Sequence, residues 1–209
     1  MHPSLYNPTS DAVWLAAFVA CAPRKVLDVG TGTGAVALCL MARLGEIDMT
    51  VLDISSEMLD AAKQNFELND KTANFINADI LSWRTNQTFD LVITNPPYFK
   101  GTPATHNAHH NSNLELWTRK CIARVRPKGV FITIVDATET GTIISEMTKH
   151  CGNIQVLPLF SKKHSAERVL LSCQVGRAPT TTIIHELPMN CDKILRQGLG
   201  IGEILPLKS

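Results

Sequence analysis

The sequence predicts an α/β domain in which a mostly parallel sheet is covered by helices on both faces. Three observations predict it. Short β-branched runs alternate with helical stretches along the chain. One run, Phe89–Thr94, is apolar along nearly its whole length, as a strand buried on both faces must be. A glycine-rich turn directly follows the first such run. With 209 residues, 44% of them hydrophobic, the chain can bury one sizeable core. A single domain over 1–209 is therefore expected, divided into an N-terminal helical segment (1–24), a core (25–176) and a C-terminal extension (177–209).

The elements follow in order. Lys25–Val29 reads as a first strand, and a helix from about Ala35 to Leu44 follows the glycines. Met49–Asp53 is a second strand. Ser56–Leu68 is a helix whose apolar face carries Met58, Leu59, Ala62 and Phe66. Ala73–Asn77 and Phe89–Thr94 are the third and fourth strands, and a loop rich in Gly, Pro, Asn and His runs from Asn95 to Asn113. A helix from Leu114 to Val125 is expected to end at Pro127-Lys128-Gly129. Val130–Val135 is a fifth strand and Thr140–Cys151 a further helix. Ile154–Phe160 and Val169–Val175 form a last pair of strands joined by a polar, basic loop. In the tail, Ile183–Leu187 reads as a strand and Asp192–Gln197 as a helical turn.

Composition narrows the class. No apolar run reaches the roughly 18 residues of a membrane span, and Met1–Ser10 has neither a basic nor an apolar leader segment. No membrane contact and a cytoplasmic location are the default expectations. The six cysteines are scattered with no C-x-x-C pair, which suits reduced thiols packed as small hydrophobes. Residues 1–110 hold 7 Lys/Arg against 11 Asp/Glu, a net −4, whereas 111–209 hold 13 against 8, a net +5. A basic half permits a polyanionic partner; an unevenly charged but solvated surface explains the counts equally well.

The turn Gly30-Thr31-Gly32-Thr33-Gly34 joins a strand to a helix at the carboxyl edge of the sheet, where open α/β sheets bind ligands. Its spacing is G-x-G-x-G, not the dinucleotide G-x-G-x-x-G, and Asp28 stands just before it. That acid would repel a pyrophosphate and suits a cation such as an α-ammonium, so a cationic nucleoside cofactor is favoured over a nicotinamide one. Asp53 closes the second strand, where a carboxylate can accept both hydroxyls of a ribose; the alternative is a helix cap, a role open also to Ser55 or Ser56. Asp79, after the third strand, is placed either to accept from an adenine amino group or to cap a turn.

Asn95-Pro96-Pro97-Tyr98 leaves the fourth strand at the same edge. An amino group on an sp² carbon is a poor nucleophile because its lone pair is delocalised. Two acceptors on its two hydrogens draw the nitrogen towards sp³ and aim the lone pair at an electrophile. The Asn95 side-chain oxygen can be one acceptor and the Pro96 carbonyl, held by paired prolines, the other. Tyr98 offers a ring for stacking on a flat base.

Taken together, Val26–Gly34, Asp53 and Asn95–Tyr98 resemble the class I, Rossmann-like, S-adenosylmethionine-dependent methyltransferases with an N-P-P-Y motif, and within them the tRNA adenine-37 N6-methyltransferases. Thr9–Ala12 ahead of Leu15–Phe18 matches that group's N-terminal helix; Trp117, Arg126–Gly129 and Arg168–Leu171 match its later segments. The resemblance covers about Pro8 to Val175, and the final thirty or so residues depart from it. It implies a seven-stranded sheet with the last strand antiparallel and S-adenosyl-L-methionine as cofactor. It places Asp28, Gly30 and Gly32 at the methionine end, Asp53 at the ribose and Asp79 at the adenine, with Asp11 of the N-terminal helix and Gly34 also on the cofactor. Asn95, Pro96 and Tyr98 would hold the acceptor. The implied partner is nucleic acid, tRNA first and rRNA second.

Three alternatives stay open at this point. The glutamine N5 of a protein release factor uses the same amide geometry, although the related enzymes carry an additional N-terminal helical domain. A nicotinamide-dependent oxidoreductase and a non-catalytic RNA-binding module share the fold class. His106, His109 and His110 crowd one loop, but the transfer needs no metal and none is expected. Lys162, Lys163, His164 and Arg168 cluster around the late loop and are candidate contacts to RNA phosphates.

Overall fold

The computed structural model describes residues 10–97, 107–160 and 165–205, with the backbone alone over 107–112. Five parallel strands and their helices build the core: α1 (Ser10–Phe18), β1 (Lys25–Val29), α2 (Ala35–Leu44), β2 (Asp48–Asp53), α3 (Ser56–Leu68), β3 (Asn74–Asn77), β4 (Phe89–Thr94), α4 (Asn107–Ile122) and β5 (Val125–Asp136). There follow α5 (Thr140–Met147), β6 (Cys151–Phe160), β7 (Ala166–Val175), β8 (Thr181–Ile183), β9 (Leu187–Pro188), α6 (Asp192–Leu195) and α7 (Ile201–Ile204). The strand order is β3-β2-β1-β4-β5-β7-β6-β8, with β9 also paired to β6. β7 is antiparallel to both β5 and β6; the other pairings are parallel. The chain steps outward from β1 to β3, then returns to β4 on the other side of β1. The order therefore switches between β1 and β4, and the crevice at their carboxyl ends is the place for a ligand.

The period of two along each strand divides the core between the faces. Leu91 and Ile93 of β4, Ile132 and Ile134 of β5, and Leu157 and Leu159 of β6 pack under α1 and α2. Val92, Phe131, Val135, Ile154 and Val156 face the other way, against α4 and α5. Ser55 caps α3 by accepting the Met58 N–H at 3.2 Å, and Leu59, Ala62 and Phe66 bury its inner face.

The structure corrects four expectations. Among the described residues the sheet has nine strands, not seven: the first seven are parallel but for β7, as expected, and β8 and β9 extend the outer edge of β6. The expected strand Ile183–Leu187 is split, because its two ends pair with separate stretches of β6. The segment Arg126–Gly129 does not end a helix. α4 begins earlier and stops at Ile122, and the segment is a bulge inside β5, where Lys128 has φ 65° and a Cβ on Gly129 would lie 2.9 Å from the Asp90 carbonyl. Finally, α5 closes at Met147 because β6 starts already at Cys151.

Glu146 on α5 is fully buried and receives Arg119 Nε at 2.6 Å and Lys149 Nζ at 2.7 Å, with His150 Nε2 at 3.3 Å. The Arg119 hydrogen bond holds its carboxyl down at about 2. A depressed carboxyl stabilises the fold fully above its unfolded value and loses that contribution as pH falls through the folded one. Thermal stability should thus fall between about pH 4.5 and 2, and Glu146→Gln should flatten that fall while costing roughly 1–3 kcal/mol at neutral pH. Melting curves of both proteins across this range check it.

Candidate active site

The site is built where β1 and β4 end. The Gly30 and Thr31 N–H groups both donate to the Leu52 carbonyl, at 2.8 and 3.1 Å, which ties the glycine turn to β2. Gly32 has φ 55°, and a Cβ there would meet nothing within 4 Å, only the open cleft that Gly32 lines. Gly34 has φ 84°, and its Cβ would lie 2.8 Å from a Phe66 ring carbon. Gly34→Ala combines a left-handed backbone, costing about 1–2 kcal/mol, with a clash against α3. A loss of roughly 2–4 kcal/mol is expected from denaturant unfolding.

Asp53 spans the turn and the end of β2. Its Oδ2 accepts the Gly32 N–H at 2.8 Å and its Oδ1 the Ser55 N–H at 2.9 Å. Each oxygen keeps a further lone pair, and the residue lines the cleft while only 9% exposed. The cap role weighed for it belongs to Ser55. Asp79 caps the turn after β3, its Oδ1 accepting the Leu81 N–H at 2.9 Å, and the residue also lines the cleft.

Asp28 stands behind the turn, off the cleft wall. Its Oδ2 accepts the Thr31 hydroxyl at 2.7 Å, whereas Oδ1 is buried with no hydrogen-bond partner among the described residues. Burial pushes the carboxyl up to about 7, the Thr31 hydroxyl opposing and the Asp53 charge adding to it.

Across the cleft, Asn95 is half-buried, Pro96 buried and Pro97 exposed, and all three line it. Thr94 positions them: its hydroxyl donates to the Val29 carbonyl at 2.8 Å and accepts the Trp117 indole N–H at 3.3 Å. Trp117 forms the wall between Gly30 and Asn95; a Cβ on Gly30 would lie 3.3 Å from its ring. Ile54, Met58, Ile80 and Leu81 supply an apolar flank near Asp53 and Asp79. The cleft measures about 620 Å³, within the size range of small-molecule sites.

Sequence reasoning named Trp117 only through a resemblance and, of the apolar flank, named only Met58 as an apolar helix position, although Ile54 and Ile80 directly follow Asp53 and Asp79. Asp11 lies in the first turn of α1, buried and off the cleft wall, while its neighbour Ala12 lines the cleft. Arg168 pairs with Asp11 and Asp136 instead of facing outward, with Nε 3.3 Å from Asp11 and Nη1 3.1 Å from Asp136. Tyr98, His106, Lys162, Lys163 and His164 lie outside the described residues, and His109 and His110 fall where the backbone alone is described. Among the described residues no His, Cys, Asp and Glu cluster could hold a metal, and no helix is long and apolar enough to cross a membrane.

A family profile, the methyltransferase small domain, matches residues 10–158. A tRNA1(Val) (adenine(37)-N6)-methyltransferase of Vibrio campbellii is 39% identical over 94 residues, covering 44% of this chain and 39% of that protein. A release factor glutamine methyltransferase of Deinococcus radiodurans is 28% identical, covering 64% of this chain and 53% of that one. The matched stretches thus span about half or less of these relatives' length. A solved structure of a predicted O-methyltransferase from Agrobacterium tumefaciens superposes with a TM-score of 0.76 at 23% identity, over 91% of this chain and 97% of that one. A T. thermophilus 16S rRNA N2 G1207 methyltransferase, bound to AdoMet and guanosine, superposes with a TM-score of 0.59 at 22% identity, over 84% of this chain and 45% of that one. Both structures share the fold.

Proposed function

Because the chain belongs to the methyltransferase small-domain family, we propose that it transfers a methyl group from S-adenosyl-L-methionine to an exocyclic amino nitrogen, that of adenine N6 in tRNA. One observation carries the reading: the glycine turn with Asp53 and the Asn95–Pro97 segment line a single cleft on opposite sides of the β1/β4 switch.

The residues present fit this cofactor. Asp53 offers lone pairs to ribose hydroxyls, Asp79 and the Ile80-Leu81 flank suit an adenine, and the buried, unsatisfied Asp28 oxygen lies behind the turn where a cationic end would rest. When bound, the cofactor supplies a methyl already activated by its sulfonium. The chain then has to orient and to stabilise charge. Asn95 accepts one hydrogen of the acceptor amino group and the Pro96 carbonyl the other, which localises the nitrogen lone pair for attack. As the N–CH3 bond forms and the S–CH3 bond breaks, positive character grows on nitrogen, and these two acceptors stabilise it. The resulting ammonium loses its proton to water without a dedicated base. Tyr98, the next residue in the sequence, is proposed from the motif alone as the ring that stacks on the base.

Methyl-labelled S-adenosylmethionine, incubated with the protein and, in separate reactions, with unmodified tRNA and rRNA pools or with an unmethylated peptide release factor, tests the reading. N6-methyladenosine in digested tRNA is the expected product. Label in a protein glutamine instead would transfer the chemistry to the other acceptor that the relatives' names present, and no label in either would reject it.

A further inference from the structure

The basic character of the second half of the sequence draws attention to Arg168 as a phosphate contact, but its surroundings argue for a different task. Arg168 sits in β7 opposite Asp136 of β5 and Leu159 of β6. Its Nε lies 3.3 Å from Asp11 Oδ2, its Nη1 lies 3.1 Å from Asp136 Oδ2, and Nη1 also donates to the Glu167 carbonyl at 3.1 Å. The side chain is only a quarter exposed, and that of Asp11 is 4% exposed. A carboxylate so buried is tolerated because a cation faces it. With Asp11 and Asp136 both on its guanidinium, Arg168 is engaged within the fold.

What the pair does is clear from α1. The far end of that helix is held by Arg43, which donates to the carbonyls of Ala16 and Val19, and its middle by the Trp14 indole, which donates to the Met189 carbonyl at 3.2 Å. The near end carries Asp11 and, next to it, Ala12, which forms part of the cleft wall. We propose that Arg168 is a positioning residue: through Asp11 it holds the first turn of α1 against the cofactor cleft, and so sets cofactor affinity instead of RNA affinity. This rests on the reading of the cleft given above.

The test compares the full chain with Arg168→Met, Arg168→Lys and the double variant Asp11→Asn/Arg168→Met. Calorimetry gives the affinity for S-adenosylhomocysteine, initial rates give KM for tRNA at several salt concentrations, and hydrogen exchange follows the amides of Ser10–Phe18. Arg168→Met is expected to weaken S-adenosylhomocysteine binding about tenfold or more, as loss of one charge-assisted hydrogen bond does. It should speed exchange in α1, and leave the tRNA KM and its salt slope within about twofold. The double variant should recover much of the lost affinity, because Asp11→Asn removes the buried charge that Arg168→Met deprives of this cation. Arg168→Lys, which keeps a cation beside Asp11, should fall between, and it serves if the methionine variant does not fold. Unchanged cofactor affinity with a raised tRNA KM and a shallower salt slope would overturn the proposal, as would a double variant no better than the single one. If the unaltered chain bound no S-adenosylhomocysteine, the reading of the cleft would fail. The exchange data would then still decide whether Arg168 holds α1.

Discussion

Replacing Asn95 with alanine is expected to slow methyl transfer by roughly 10²–10³-fold, the loss seen when one preorganised polar group is removed from a reacting centre. Affinity for S-adenosylhomocysteine should change by less than about threefold, since a tenfold change would require about 1.4 kcal/mol of lost contacts. The separation follows from the geometry. Asn95 lines the cleft on the β4 side, its side chain makes no hydrogen bond to other described residues, and the groups that pin the glycine turn come from β2. Removing the Asn95 amide therefore leaves the cofactor side intact while the acceptor loses one of two hydrogen-bond acceptors. Single-turnover rates with saturating cofactor, beside calorimetric titration, check both halves; an equal loss in both would place Asn95 on the cofactor.

Asp53→Ala acts in the opposite sense. It removes the acceptor for the Gly32 and Ser55 N–H groups together with the lone pairs offered to the ribose. Hydrogen bonds to a charged group are worth roughly 1.5–3 kcal/mol each, so cofactor binding should weaken by about one to two powers of ten. The fold itself should lose stability as the glycine turn comes free of its anchor. The Asp28 carboxyl should also ionise more readily, since the Asp53 charge is one of the influences holding it up at about 7. Transfer at saturating cofactor should largely survive, which distinguishes this variant from Asn95→Ala. An unchanged cofactor affinity would remove Asp53 from the binding role.

How much of this was legible in the sequence depends on how local each signal is. The glycine turn, Asp53, Asp79 and Asn95–Pro97 could be read because each lies at or just past the end of a strand, and parallel strands deliver their carboxyl ends to one edge. Trp117 was far less legible. An aromatic residue on an amphipathic helix reads the same whether it faces a core or a cleft, and only the bond to Thr94 and the contact with Gly30 distinguish them. Arg168 was legible as a charge but not as a partner: Asp11 lies 157 residues away, and no local pattern reports such a pairing. The Pro127-Lys128-Gly129 segment reads locally as a breaker, but pairing with β4 on either side absorbs it as a bulge. The added strands β8 and β9 depend on the free edge of β6 more than on their own short sequences.

The tail bears on the order in which the chain can fold. Trp14, Leu15 and Phe18 of α1 share one buried cluster with Ile194 and Ile201, both wholly shielded from water. During synthesis the helix emerges well before the residues that seal it. Until then its aromatic face has no complete cover, and the wall that Ala12 contributes has nothing to hold it in place from that side. Contacts that span nearly the whole described chain close slowly, because the entropy of so long a loop is lost before they form. Refolding should accordingly show the sheet acquiring protection ahead of α1, with the cleft competent to bind only once Ile194 and Ile201 have packed on that helix.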